Sequence, residues 1–194
     1  METKLNLSIL ILVISSKMID PRNITNYNRN KYELEEFAVF SVLVAGKTAK
    51  FIAKALEKFI SGKPSNLSLF QYIQMLSLEE LAGTLYSVGV GCHSGKSRTL
   101  KELVSLKLDL NQCSKAELMT IWGIGDKTAN FFILHSRPNQ FCGAIDTHIQ
   151  KYLKMSLKDY SYAEIEEEFL KHVAQSGKTA AELDLEIWNR YARQ

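Results

Sequence analysis

Three observations predict an all-α fold. Capping-box spacings of the form S/T-x-x-E/Q recur at Ser68/Gln71, Ser77/Glu80, Ser114/Glu117, Ser161/Glu164 and Thr179/Glu182, and each marks a helix start. The segments that follow carry apolar residues at three-four spacing, the period of a helix with one buried face. One β-branched stretch, residues 5–14, would suit a strand, but no second strand pattern follows to pair with it. At 194 residues the chain can form one domain or two small lobes, and 46% hydrophobic residues leave ample material for a core. Three prolines and ten glycines argue against disorder.

Taken in order, residues 5–14 (L-N-L-S-I-L-I-L-V-I) are too short to span a bilayer and too weakly flanked for export. A helix packed on the main body is expected there. Residues 20–30 hold Pro21 and four asparagines and read as a loop. From Lys31 the chain is helical, and the run from Phe37 to Val44 is apolar nearly all round, so it should be buried. Ala45-Gly46-Lys47-Thr48-Ala49 breaks it. A second helix follows, with Phe51, Ile52, Ala55, Leu56, Phe59 and Ile60 on one side and Lys50, Lys54 and Lys58 on a solvated face. Residues 62–66 read as a linker, and two short capped helices come next.

Gly95-Lys96-Ser97 invites comparison with a nucleotide-binding loop. That loop requires G-x-x-x-x-G-K-[ST], and Val90 stands where its first glycine should be. A loop before a helix over residues 97–106 is the better reading. Lys96, Arg98 and Lys101 make it basic, which suits either a phosphate contact or a solvated face.

Residues 114–148 carry the chemistry. A short helix after Ser114 meets Trp122-Gly123-Ile124-Gly125, whose glycines are expected to supply backbone angles closed to other residues. Asp126 is expected to cap the next helix, which runs through Lys127 to Leu134. Such a hairpin is either a turn between packed helices or an exposed set of N–H groups at a positive helix end, able to hold phosphate. Lys127 lies in the first turn, where field and burial both favour a neutral, nucleophilic amine. Asp146 follows nineteen residues later, after Pro138 and Gly143, and can also cap the helix that begins at Thr147. Lysine and carboxylate beside a bound phosphate could together act on a sugar.

W-G-I-G-D-K-T-A-N followed by A-I-D-T-H resembles the helix-hairpin-helix, Gly/Pro-Asp superfamily of DNA glycosylases. Weaker similarity runs from Tyr32 to Trp188. The resemblance implies a two-lobed helical fold with a cleft between lobes. Residues 1–30 would be an N-terminal extension, residues 48–145 one lobe, and residues 31–47 plus 146–194 the other. It implies that Lys127 forms a Schiff base with deoxyribose, that Asp146 assists, and that the enzyme is a glycosylase with AP lyase activity in base excision repair. Gly123, Gly125, Lys96 and Arg98 would hold DNA phosphates. Lys47, His93, Phe141 and Trp188 are weaker candidates for the base pocket, each with a plainer reading as surface, loop or packing residue.

Leu183-Asp184-Leu185-Glu186-Ile187-Trp188 is similar to the C-terminal helix of archaeal-type 8-oxoguanine glycosylases, which favours that lesion over an oxidised pyrimidine. A non-catalytic helix-hairpin-helix module that binds DNA is the rival from another class. The partner expected is double-stranded DNA with a damaged base, bound by a monomer through a local basic patch, since net charge is only +3. No membrane association is expected. Cys92, Cys113 and Cys142 read as free thiols of a reducing cytosol, nucleoid-associated if the source is prokaryotic. No cysteine follows Cys142 to build the iron–sulfur cluster of endonuclease III relatives, and the four histidines show no paired spacing. No metal or other cofactor is expected.

Overall fold

The computed structural model describes residues 19–191, and the apolar stretch at residues 5–14 lies outside them. Ten helices and no strand occur among the described residues. They are α1 (Lys31–Leu43), α2 (Ala49–Ser61), α3 (Leu69–Met75), α4 (Leu78–Ser87), α5 (His93–Ser105), α6 (Lys115–Met119), α7 (Asp126–Ser136), α8 (Thr147–Leu153), α9 (Tyr162–Ser176) and α10 (Ala180–Tyr191).

The starts follow local hydrogen bonding. Ser68, Ser77, Ser114 and Ser161 form complete capping boxes with Gln71, Glu80, Glu117 and Glu164. Thr179 and Glu182 make the same reciprocal bonds at 3.2 and 2.8 Å ahead of α10. A further box, Asn30 with Glu33, opens α1. Each cap is worth about 1 kcal/mol. Helix α5 departs from expectation: it begins at His93, so Ser97 lies inside it and its hydroxyl donates back to His93 O. Cys92 caps it in the left-handed region, at φ +56°.

Two apolar clusters form the interior. The larger gathers Phe37, Phe40, Ile52, Phe59, Leu85, Leu100 and Ile121 with residues of α7; the smaller gathers Leu134, Ile145, Ile149, Ile165, Phe169 and Ile187. Phe131 of α7 packs against both, so α7 is the shared wall. Helix α1 contributes its apolar residues to the larger cluster. Every residue from Leu34 to Leu43 is buried, so it must be surrounded, and α2, α3, α5 and α7 pack around it.

Residues 24–29, ahead of α1, are tied to the helical body. Arg29 stacks 3.8 Å above the Phe37 ring and donates to Ile24 O at 2.6 Å and His135 O at 2.8 Å, tying residues 24–29 to α7. Burial pushes the Arg29 guanidinium down to about 10. The loop before Asp146 is fixed as firmly. Glu166 of α9 accepts from Gly143 N at 2.9 Å, the Tyr162 hydroxyl accepts from Ile145 N at 3.1 Å, and Asn130 of α7 donates to Gly143 O at 2.8 Å. Lysine and aspartate therefore sit on elements bolted together three residues past Lys127 and three short of Asp146.

Candidate active site

Helices α6 and α7 enclose the hairpin. Gly123 needs its missing side chain twice over: its φ is +84°, and a Cβ there would lie 2.5 Å from Thr99 Oγ1. Gly125 needs it for neither reason. Its φ is −103°, and nothing lies within 4 Å of a Cβ at that position. Asp126 is the first residue of α7 rather than its cap; Gly125 occupies the cap position without a side-chain bond, and the Asp126 carboxylate pairs with Lys115 Nζ at 2.8 Å. The first N–H groups of α7 are thus left without a capping side chain, beside an exposed turn.

Helix α5 braces that turn. Glu102 accepts from Trp122 N at 2.7 Å and from Arg98 Nε at 3.1 Å, and the Arg98 guanidinium lies 4.4 Å over the exposed Trp122 ring. Arg98 is therefore displayed at the hairpin surface. Lys96 is not. It is buried, its amine donates to Leu43 O at the end of α1, and burial first, then the Lys47 charge, pushes it down to about 8. One turn of helix where a loop was expected places it inward, with its amine at the end of α1. Lys101 is likewise occupied, donating to the Gln74 and Leu76 carbonyls at 3.0 and 2.6 Å.

A cavity of about 880 Å³ opens beside α7. Its walls come from the α1–α2 break (Lys47), α7 (Lys127, Phe131), the start of α8 (Asp146, His148) and α10 (Asp184, Trp188). Pro21 and Ile24 of the N-terminal segment close one side. The Lys127 amine lies 4.7 Å from the centre of the Phe131 ring. Burial pushes it below its ordinary 10.5, against the upward pull of Asp146 and Asp184, so desolvation wins over attraction. Asp146 caps α8, accepting from His148 N at 2.8 Å and Ile149 N at 2.9 Å. Its carboxyl is nevertheless raised above 3.8, first by burial, with the Asp184 charge adding and the Ile149 bond and nearby cations opposing. An amine pushed down and a carboxyl pushed up, in one cavity, suit proton exchange between them.

Lys127, Asp146, Lys47 and Trp188 are therefore brought to one cavity. His93 stands outside it, its ring 5.2 Å from that of Tyr86. Phe141 is also outside; it is 67% exposed, at the rim of a separate groove with Tyr27 and Gly177. Asp184 lines the cavity and His135 stands behind it; neither is a site residue the sequence singles out. His135 is fully buried, its Nε2 3.0 Å from Asp184 Oδ2 and its Nδ1 2.8 Å from Thr25 Oγ1. Only the four-residue spacing of Lys127, Phe131 and His135 along α7 could have placed that histidine on the lysine's face.

No protein-family model and no curated protein matches the sequence. Solved structures do match. The 8-oxoguanine DNA glycosylase of Thermotoga maritima superposes with a TM-score of 0.67 at 23% identity, over 84% of this chain and 81% of that one. The 8-oxoguanine glycosylase/lyase of Methanocaldococcus jannaschii, bound to a 15mer DNA containing 8-oxoguanine, gives 0.68 at 21%, over 86% and 84%. A trapped endonuclease III–DNA covalent intermediate gives 0.65 at 24%, over 84% and 75%. The chain has the helical fold of these DNA glycosylases.

Proposed function

We propose that this protein is a DNA glycosylase of base excision repair with AP lyase activity. The observation that carries the reading is the half-buried Lys127 sharing a cavity with Asp146, one turn from a hairpin able to bind phosphate, with burial pushing its amine below the usual lysine range. The protein would grip duplex DNA through the hairpin, with Arg98 beside it, and receive the damaged nucleotide in the cavity. Extruding a base costs a few kcal/mol, least where pairing is already damaged.

In the cavity, the Lys127 ammonium passes a proton to the Asp146 carboxylate. The amine lone pair attacks C1′, the C1′–N bond breaks, and its electron pair leaves with the base. The amine's second proton passes to O4′, which leaves with the C1′–O4′ bonding pair, and the nitrogen lone pair closes the protonated imine at C1′. Removal of a C2′ proton drives electrons toward C3′ and expels the 3′ phosphate, nicking the strand.

Oxidised purine, 8-oxoguanine above all, is the favoured substrate; the Leu183–Trp188 pattern and the two 8-oxoguanine glycosylase structures support it. Oxidised pyrimidine is the alternative, supported by the similar endonuclease III likeness. The working form would be a cytoplasmic monomer on double-stranded DNA. Incubation with duplexes carrying single lesions, with borohydride present, tests the reading. A covalent adduct, fastest with 8-oxoguanine and absent in Lys127→Ala, is expected. DNA binding without any adduct or base release would leave only a binding module.

A further inference from the structure

We propose that Asp184, held by His135, which Thr25 holds in turn, is a positioning residue that sets the charge balance between Lys127 and Asp146. Geometry supports it. Lys127, Phe131 and His135 follow one another at four-residue spacing on one face of α7. The Lys127 amine sits 4.7 Å over the Phe131 ring, and that ring meets the His135 ring edge-on at 5.0 Å. His135 then holds Asp184 Oδ2 at 3.0 Å from behind, with both its nitrogens engaged. The carboxylate of α10 is thus fixed in the wall of the cavity that contains Lys127 and Asp146. It is 9% exposed, so little water disperses its charge.

The titratable groups facing Lys127 across the cavity are Lys47 from the α1–α2 break, Asp146 and His148 at the head of α8, and Asp184 and Tyr191 from α10. Among them, the two carboxylates pull the amine upward against burial. The Asp184 charge also raises Asp146. Asp184 therefore does two things at once: it keeps Lys127 from losing its proton to bulk solvent too readily, and it makes Asp146 a better acceptor for that proton. Its catalytic meaning rests on the imine chemistry proposed above; its electrostatic effect does not.

The test reads the amine directly. Lysines are reductively methylated with ¹³C-formaldehyde and titrated by NMR, the Lys127 signal being assigned by its loss in Lys127→Arg. In Asp184→Asn, which keeps shape and a hydrogen bond to His135, the Lys127 midpoint is expected about 1 pH unit lower. In His135→Gln, which leaves the carboxylate charged with a donor in reach, it stays in place. Asp184→Ser serves if the amide variant does not fold, with the same downward shift. An unmoved midpoint in the charge-removing variant, or equal movement in both variants, overturns the proposal. Borohydride trapping of the parent chain separates the two readings. No adduct together with a shifted midpoint sinks the lyase reading and leaves this one; an adduct with an unmoved midpoint does the reverse.

Discussion

Gly123→Ala isolates what the hairpin demands of the sequence. Two costs add. A φ of +84° is closed to alanine at about 1–2 kcal/mol. The new Cβ would also meet Thr99 Oγ1 at 2.5 Å, on the buried face of α5, and such overpacking costs about 1–3 kcal/mol. The expected loss is about 2–5 kcal/mol in urea unfolding. Gly125→Ala, at φ −103° with open space around it, should cost less than about 1 kcal/mol. The double variant Gly123→Ala/Thr99→Ala removes the overlap and leaves the backbone cost, so a favourable coupling of about 1–3 kcal/mol should appear. Affinity for a duplex with an abasic-site analogue should fall with Gly123→Ala and recover only in part in the double variant. Equal losses at the two glycines, or no coupling with Thr99, would refute the reasoning.

Other outcomes follow from the same geometry. Asp146→Asn keeps a good cap on α8, so stability should change by less than about 0.5 kcal/mol, while the trapping rate on lesion DNA falls at least about tenfold in single-turnover assays. Lys96 holds its proton only to about 8 in the fold and to 10.5 outside it, so the unfolded chain binds more protons between those values and stability rises with pH there. Lys96→Met should make that rise shallower by about one proton's worth, read from urea midpoints across the window. Tyr162→Phe removes the hydroxyl that accepts from Ile145 N, for a loss of about 1–3 kcal/mol and a slower Asp146-dependent step, read by unfolding and trapping together.

What was legible in the sequence was what neighbours in the chain decide. The serine capping boxes and the burial of α1 need only residues three or four apart, and both follow from spacing. Gly123 was legible as a turn, but its contact with Thr99 was not, because that partner lies on another helix. Lys96 shows the limit most clearly. One extra turn at the start of α5 changes which way it points, and Cys92, with its left-handed backbone, gives no helix-start signal. Asp184 and His135 lie forty-nine residues apart, and each looked like an ordinary polar residue on an amphipathic helix. The spacing of the histidine bears only on metal ligation, whereas its partners are a carboxylate and a threonine hydroxyl. Residues 20–30 read as a plain loop because nothing local reveals that Arg29 binds three carbonyls and holds Ile24 against the cavity.

Imine formation depends on one nucleophile, and two other lysines compete for the role: Lys96, with its lowered pKa, and Lys47, in the cavity wall. Peptide mapping by mass spectrometry of the borohydride-reduced adduct on lesion DNA discriminates among them. The deoxyribose remnant should reside on the peptide containing Lys127 and on no other. Its appearance on Lys47 or Lys96, with Lys127 unmodified, would contradict the assignment.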